Sequence, residues 1–134
     1  MEHHLTTYIT HDTLISALGF GTQENLEAIR SYHSGITLQT DKRIADTPLL
    51  AATLSQERLQ QQAEAIGVSG YPRMEQLFIL TINELIRQSG QTLEDKTCGL
   101  ILSTTKGNID LLARHTEHPD EAVFLWKMAE NIAG

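Results

Sequence analysis

The sequence predicts an α/β fold in which a mixed sheet is layered with helices, and three observations lead to that prediction. Patterns typical of strands and helices follow one another in the order strand, helix, strand, helix, helix, strand, helix. A short apolar run at residues 98–102 is bounded by turn-forming residues, which is typical of a strand buried on both faces. A long helix at residues 72–89 carries an apolar stripe wide enough to cover a sheet.

Length, composition and charge indicate one domain covering residues 1–134 and narrow the range of partners. The chain has 134 residues, 40% of them hydrophobic and 20% charged, which is ordinary for a domain with a core. Its net charge of −7 repels phosphate backbones, so nucleic acid is not expected as a partner. No apolar stretch suits a membrane span, the N-terminus does not resemble a signal peptide, and the single cysteine permits no internal disulfide. We therefore expect a cytoplasmic protein without a membrane partner.

The first part of the chain is predicted to contain two strands with a helix and a loop between them. Residues 5–11 (LTTYITH) have the Thr, Tyr and Ile content of a strand. Thr22 is expected to cap a helix that ends at Gly35. The polar residues 37–47 predict a loop. Residues 48–54 (PLLAATL) favour a strand, although their Ala and Leu content would also suit a helix.

Two helices are predicted to follow. Ser55 is expected to cap the first, which ends at Gly67. The second covers residues 72–89, with Pro72 in its first turn and Gly90 directly after its end. The first presents Leu59, Ala63 and Ile66 on one face, and the second presents Met74, Leu77, Phe78, Thr81, Ile82, Leu85 and Ile86.

The apolar run at residues 98–102 (CGLIL) is expected to form the central strand of the sheet. Residues 100–105 are expected to lie centrally in that sheet and to pair in parallel with residues 6–10. A buried helix segment is the alternative, but the glycine and asparagine that close the following tip come too soon for a helix. The polar tip at residues 103–108 would lie at the carboxyl end of the strand, where open α/β sheets place ligands. One or two helical turns at residues 109–114 and a last helix starting near residues 119–121 complete the prediction.

Some residues have side chains that could do chemistry, but structural explanations are favoured. His115 and His118 have the spacing of a metal pair but lack a third ligand, so loop histidines and no metal site are expected. The glycines at residues 19–21 precede a helix but lack the rest of a nucleotide-binding motif, which favours a turn. Cys98 is expected to be an inert core residue. Lys106, at the strand tip, either contacts an anionic ligand or points into water, and the latter is favoured.

Several short motifs occur in the order found in one enzyme family. Leu18-Gly19 and Ser34-Gly35-Ile36 bracket the first helix, the helix at residues 72–89 precedes the central strand, and MAENIAG forms residues 128–134. Together they resemble the N-terminal part of the β-ketoacyl-acyl-carrier-protein synthases, which are condensing enzymes. The resemblance implies a partial thiolase-like fold. Residues 11 and 13 are His and Thr where the family usually has glycine.

The resemblance implies that the full-length protein is an acyltransferase of fatty-acid or polyketide synthesis, which joins acyl and malonyl thioesters by decarboxylative Claisen condensation. In this family a cysteine at a helix N-terminus attacks the acyl thioester, and histidines, or a histidine and an asparagine, assist decarboxylation. These groups lie beyond the position that matches Gly134, and Cys98 matches a strand. The chain is therefore expected to be a fragment that ends before the nucleophile, holds no catalytic residue or cofactor, and is inactive alone.

The resemblance also implies substrate-pocket or dimer contacts in the loop after the central strand and in the last helix. These candidates are Thr104, Thr105, Lys106, Ile109, Phe124, Leu125 and Met128. The implied partners are acyl carrier protein, acyl thioesters and a second subunit, either in a homodimer or as a paired synthase subunit. One alternative is a non-enzymatic binding or assembly module that pairs with a catalytic synthase subunit. Another is a small α/β domain that resembles synthases by accident.

Overall fold

The computed structural model of the chain describes residues 6–91, 97–114 and 120–134, and it has mixed α/β content. Its helices pack on one another, and its strands form two separate two-stranded antiparallel sheets. In chain order the elements are β1 (Ile15–Ser16), β2 (Gly19–Phe20), α1 (Thr22–Arg30), β3 (Ile36–Gln39), β4 (Leu49–Ala52), α2 (Gln56–Ala65), α3 (Arg73–Ser89), two 3-10 helices (Ile109–Arg114 and Glu121–Val123) and α4 (Leu125–Ala133).

A tight hairpin of β1 and β2 leads directly into α1, and a buried amide holds the two together. Asn25 of α1 is almost fully buried, and its Nδ2 donates to the carbonyl oxygens of Gly19 at 3.0 Å and Gly21 at 2.8 Å. The Ser16 hydroxyl donates to Asn25 Oδ1. Because a Cβ at Gly19 would lie 2.5 Å from the Cβ of Glu24, only glycine fits at this position.

A carboxylate at the start of α1 connects the hairpin to α2. Glu24 accepts two hydrogen bonds from the Arg58 guanidinium, at 3.0 and 2.9 Å, and one from the Phe20 N–H at 2.9 Å. The guanidinium carbon of Arg58 also lies 4.8 Å from the centroid of the Phe20 ring, within range of a cation–π interaction. The hydrogen bond from Arg58, followed by that from Phe20, holds the pKa of Glu24 below its usual 4.5.

The second hairpin is longer and presents an apolar face to water. Strands β3 and β4 pair with Ile36 opposite Ala52 and Leu38 opposite Leu50. These residues share one face because side chains alternate along a strand, and all of them are exposed. An isolated two-stranded hairpin is only marginally stable in water.

The core lies along α3, which packs against both α2 and α4. Among the described residues, the fully buried apolar side chains are Leu59 and Ala63 from α2 and Met128 from α4, with Leu80 of α3 nearly so. Ser55 caps α2 by accepting the Arg58 N–H at 3.2 Å. Gly90 ends α3 in the left-handed conformation at φ 66° and donates its N–H to the Ile86 carbonyl.

Most of the sequence predictions of helices are confirmed, with shifts at their ends. Helices α2 and α3, the helical turns at residues 109–114 and the strand within residues 48–54 all form. Helix α1 has Gly21 rather than Thr22 in the capping position and ends at Arg30, earlier than predicted. Part of the predicted loop at residues 37–47 belongs to β3, because its backbone pairs with that of β4 in an antiparallel ladder.

The predictions of two strands in a central parallel sheet are wrong for the described residues. Residues 6–11 and 98–102 belong to no strand, and no parallel pairing connects residues 6–10 with residues 100–105. Cys98 is exposed instead of buried. The apolar composition of a segment indicates an extended conformation, but a strand also needs a neighbouring backbone to hydrogen-bond with.

Across the described part of the chain, no helix combines the length and the apolar character that a bilayer span requires.

Replacing Gly90 by Ala should lower the free energy of unfolding by about 1 kcal/mol, because an alanine at positive φ is strained. Gly70→Ala is the matched control, since Gly70 does not have a positive φ and a Cβ there meets nothing within 4 Å. Urea denaturation followed by circular dichroism measures both variants. Equal stability of the two variants would contradict the assigned role of Gly90.

The low pKa of Glu24 should make the protein less stable in acid. The folded state stabilises the carboxylate, so its contribution is complete above the unfolded pKa of 4.5 and is lost as pH falls through the lower folded value. Urea midpoints measured downward from pH 4.5 should fall less steeply in Glu24→Gln than in the unmodified protein. The control Glu27→Gln leaves the pair with Arg58 intact, so its pH profile should match that of the unmodified protein more closely; identical profiles for all three would count against this effect.

Candidate functional site

The residues that the family resemblance selects lie mostly together on one surface, formed by the loop at residues 104–109 and by residues 122–128. We call it the loop–helix surface. Gly107 brings the two parts into close contact, because a Cβ built there would lie 3.2 Å from Leu125 Cδ2. Asn108 Nδ2 donates to the Ala122 carbonyl at 2.8 Å. The two 3-10 helices that flank these segments also contact each other.

A buried carboxylate fixes this surface to the core. Glu75, in the first turn of α3, is 0% exposed. Its Oε1 accepts a hydrogen bond from Asn108 Nδ2 at 2.7 Å, and its Oε2 accepts one from Asn131 Nδ2 at 3.1 Å. A single side chain therefore connects α3, the loop and α4, which are far apart in the sequence.

Asn108 has a second unusual property. It is 0% exposed, and its Oδ1 is a buried acceptor with no hydrogen-bond partner among the residues that the structure describes. Because a buried amide oxygen without a donor costs about 1–3 kcal/mol, the position is held by its other contacts. Those contacts are the two bonds that Asn108 Nδ2 donates to Glu75 and to Ala122.

The loop has a defined conformation of its own. Thr104 Oγ1 accepts hydrogen bonds from the N–H groups of Lys106 at 3.3 Å and Gly107 at 3.1 Å. Gly107 has a φ of 55°, in the left-handed region, so the turn and the close contact with α4 both require glycine. Thr105 and Lys106 are exposed at the tip.

The apolar candidates divide between surface and core. Ile109, Phe124 and Leu125 are each about half exposed and give the surface an apolar character. Met128 is completely buried and belongs to the core.

Two residues of this region were not identified from the sequence. Trp126 is 59% exposed; its ring is stacked with that of Phe124, with 6.4 Å between centroids, and Lys127 Nζ lies 5.9 Å from its centroid. A tryptophan two residues after a phenylalanine is a sequence signal that could have found this residue, because aromatic side chains are enriched at interfaces. Glu75 is seven residues before Ile82 and therefore lies on the same side of the helix. An acidic residue in line with an apolar stripe is the sequence signal that could have identified Glu75.

An ion pair lies on α4 beside Trp126. Lys127 Nζ donates to Glu130 Oε2 at 2.7 Å. This hydrogen bond and the charge of Glu130 raise the pKa of Lys127, with smaller contributions from the charges of Glu121 and Glu75. The ammonium group is therefore held in its charged form near the aromatic side chain of Trp126.

The remaining candidates have other surroundings. Cys98 lines a cavity of about 400 Å³ together with His11 and apolar residues of α3 and α4. His115 and His118 lie outside the described residues, and within residues 6–91, 97–114 and 120–134 no group of three or more His, Cys, Asp or Glu side chains could hold a metal. At residues 19–21, the carboxylate of Glu24 already accepts the Phe20 N–H, so an acid occupies the position that a phosphate would need.

No family model matches the chain, and neither a curated protein nor a solved structure matches it.

Replacing Glu75 by Leu should lower the free energy of unfolding by about 3 kcal/mol, because two buried amides lose a charged acceptor. Glu75→Gln should cost less than half as much, since its amide can still accept from Asn108 and can donate to a reoriented Asn131. Urea denaturation measures both variants. The same change on the same helix, Glu84→Leu, removes only a partly exposed ion pair and should cost less than about 1 kcal/mol. A loss for Glu75→Leu no greater than for Glu84→Leu would contradict the role of Glu75.

Proposed function

We propose that the chain is the N-terminal part of a cytoplasmic β-ketoacyl-acyl-carrier-protein synthase with a partial thiolase-like fold. The complete enzyme condenses acyl and malonyl thioesters, and this part supplies a wall of the acyl channel or a contact between subunits. The nucleophile and the groups that assist decarboxylation come from the rest of the enzyme. Residues 1–134 therefore have no condensing activity of their own.

The observation that carries the proposal is the meeting of two separate segments. The resemblance selects the loop at residues 104–109 and the start of the last helix, and these two segments come together through Asn108 and Gly107. The apolar side chains of Ile109, Phe124 and Leu125 are half exposed there. Such a surface suits a fatty acyl chain or the apolar centre of a subunit interface.

The fixed position of the loop also supports a role in binding. Glu75 and Asn108 hold the loop through buried hydrogen bonds, so its conformation is set before any partner arrives. A binding surface that is already ordered loses less conformational entropy when a ligand or subunit binds.

A second candidate is a non-enzymatic module that pairs with a catalytic synthase subunit. The stacked, exposed rings of Phe124 and Trp126 favour it, because exposed aromatic side chains are typical of protein interfaces. In this role the loop–helix surface binds a protein, and no acyl chain enters it.

A chimeric enzyme tests the proposal. Residues 1–134 replace the matching N-terminal part of an active β-ketoacyl synthase, and condensation is measured with carrier-protein thioesters of different chain length. We expect the chimera to turn over and the isolated chain to show neither acyl transfer nor malonyl decarboxylation. Ile109→Trp should narrow the channel and lower turnover of long acyl chains at least about tenfold more than that of short ones, since a misplaced or blocked substrate loses most of its binding energy.

The control variant Leu50→Trp lies on the exposed face of the second hairpin and should not change the chain-length profile. A folded but inactive chimera, or an equal effect of Ile109→Trp on all chain lengths, would contradict the proposal that this surface forms a wall of the acyl channel. If the chimera is inactive while the isolated chain binds an intact synthase, the second candidate is favoured instead. Turnover by the isolated chain would overturn both.

A further inference from the structure

The cavity of about 400 Å³ lies between α3, α4 and two segments that belong to no helix or strand. Helix α3 lines it with Ile82, Leu85 and Ile86, and α4 contributes Ile132. Residues 10–11 and 98–100 line it from outside the helices. None of the lining residues belongs to the loop–helix surface, so the cavity is a separate site.

The size and the apolar walls of the cavity are those of a small-molecule site. Ligand cavities in proteins usually enclose roughly 300–1,000 Å³ and combine mostly apolar walls with a few polar groups. The side chains of Ile82, Leu85, Ile86 and Ile132 are only partly buried. A molecule that covers them therefore removes apolar surface from water, which favours binding.

The polar groups of the cavity select an uncharged ligand. Among the described residues, no Asp, Glu, Lys or Arg side chain lines it, so a charged ligand would lose water without gaining a partner of opposite charge. Ser89 already bonds locally, because its Oγ donates to the Ile86 carbonyl at 3.4 Å and accepts the Gln91 N–H at 3.2 Å. The hydroxyl of Thr10, the imidazole of His11 and the side-chain amide of Gln91 can hydrogen-bond to a ligand.

We infer that this cavity binds one uncharged, largely apolar small molecule that carries a hydrogen-bonding group. The apolar part of the molecule lies against α3 and α4, and its polar group bonds to the side chains that residues 10–11 and Gln91 supply. Cys98 is exposed and lines the same cavity, so a bound molecule covers part of this residue.

Two fluorescent probes that share one ring system test the preference for an uncharged ligand. N-phenylnaphthylamine is uncharged and carries an N–H group, whereas anilinonaphthalene sulfonate has the same rings and a negative charge. Titrations are made at about pH 8, above the range in which histidine ordinarily titrates. The amine should saturate one site per chain and bind at least about tenfold more tightly than the sulfonate, because a buried charge without a partner is costly.

A variant that fills the cavity locates the bound probe. Leu85→Trp places a larger side chain in the wall and should weaken binding of the uncharged amine at least about tenfold, since close-packed interiors leave little spare volume. The matched control Leu50→Trp makes the same change on the second hairpin, where the residue is 71% exposed, and should leave the affinity unchanged. Circular dichroism establishes that both variants are folded.

The single cysteine gives a second measurement that needs no variant and decides the matter even if Leu85→Trp does not fold. Saturating N-phenylnaphthylamine should slow alkylation of Cys98 by iodoacetamide at least about threefold, because thiol reactivity depends on access. The sulfonate at the same concentration should have little effect.

Four results would each overturn the inference: no saturable binding of the amine, equal binding of the two probes, equal effects of the two tryptophan variants, or unchanged alkylation of Cys98. Neither probe is a thioester and no turnover is measured. An inactive chimera together with specific probe binding would therefore contradict the synthase proposal and leave the cavity site intact.

Discussion

The arrangement of the described residues depends most on one buried carboxylate, that of Glu75. A carboxylate that loses water is costly unless its oxygens accept hydrogen bonds, so its position forces donors to gather around it. The two donors come from Asn108 and Asn131, on opposite sides of the segment that carries the exposed aromatic residues. These hydrogen bonds connect the loop and α4 directly to α3, so the loop and α4 are not independent segments. This polar connection matters because few apolar side chains are fully buried around it.

The helices could be predicted because their signals are local. Ser55 and Gly90 act within one turn of the residues that they cap, and the apolar stripe of α3 is visible in its spacing. The prediction of a central strand at residues 98–102 was wrong because strand pairing, unlike helix capping, is not determined locally. Its composition is that of a strand, but pairing depends on a distant backbone that composition does not reveal. The short β3 was missed because its polar neighbours concealed four residues of alternation.

The candidate surface was predicted in part. The family resemblance selected the loop and the last helix, and the fold brings these segments together. It did not indicate that Met128 is completely buried, since a helix position alone does not tell which side meets the core. Glu75 could not be identified because its importance comes from asparagines 33 and 56 residues further along the chain. Long-range hydrogen bonds of this kind leave no local pattern.

The exposed position of Trp126 gives the loop–helix surface an optical property. It is the only tryptophan of the chain, and its indole ring borders Phe124 and Lys127. Intrinsic fluorescence excited in the indole band therefore arises at this one place, in contact with water. Anything that covers the surface removes that water and shifts the emission to shorter wavelength, so the native chain reports on the occupancy of the surface without a dye.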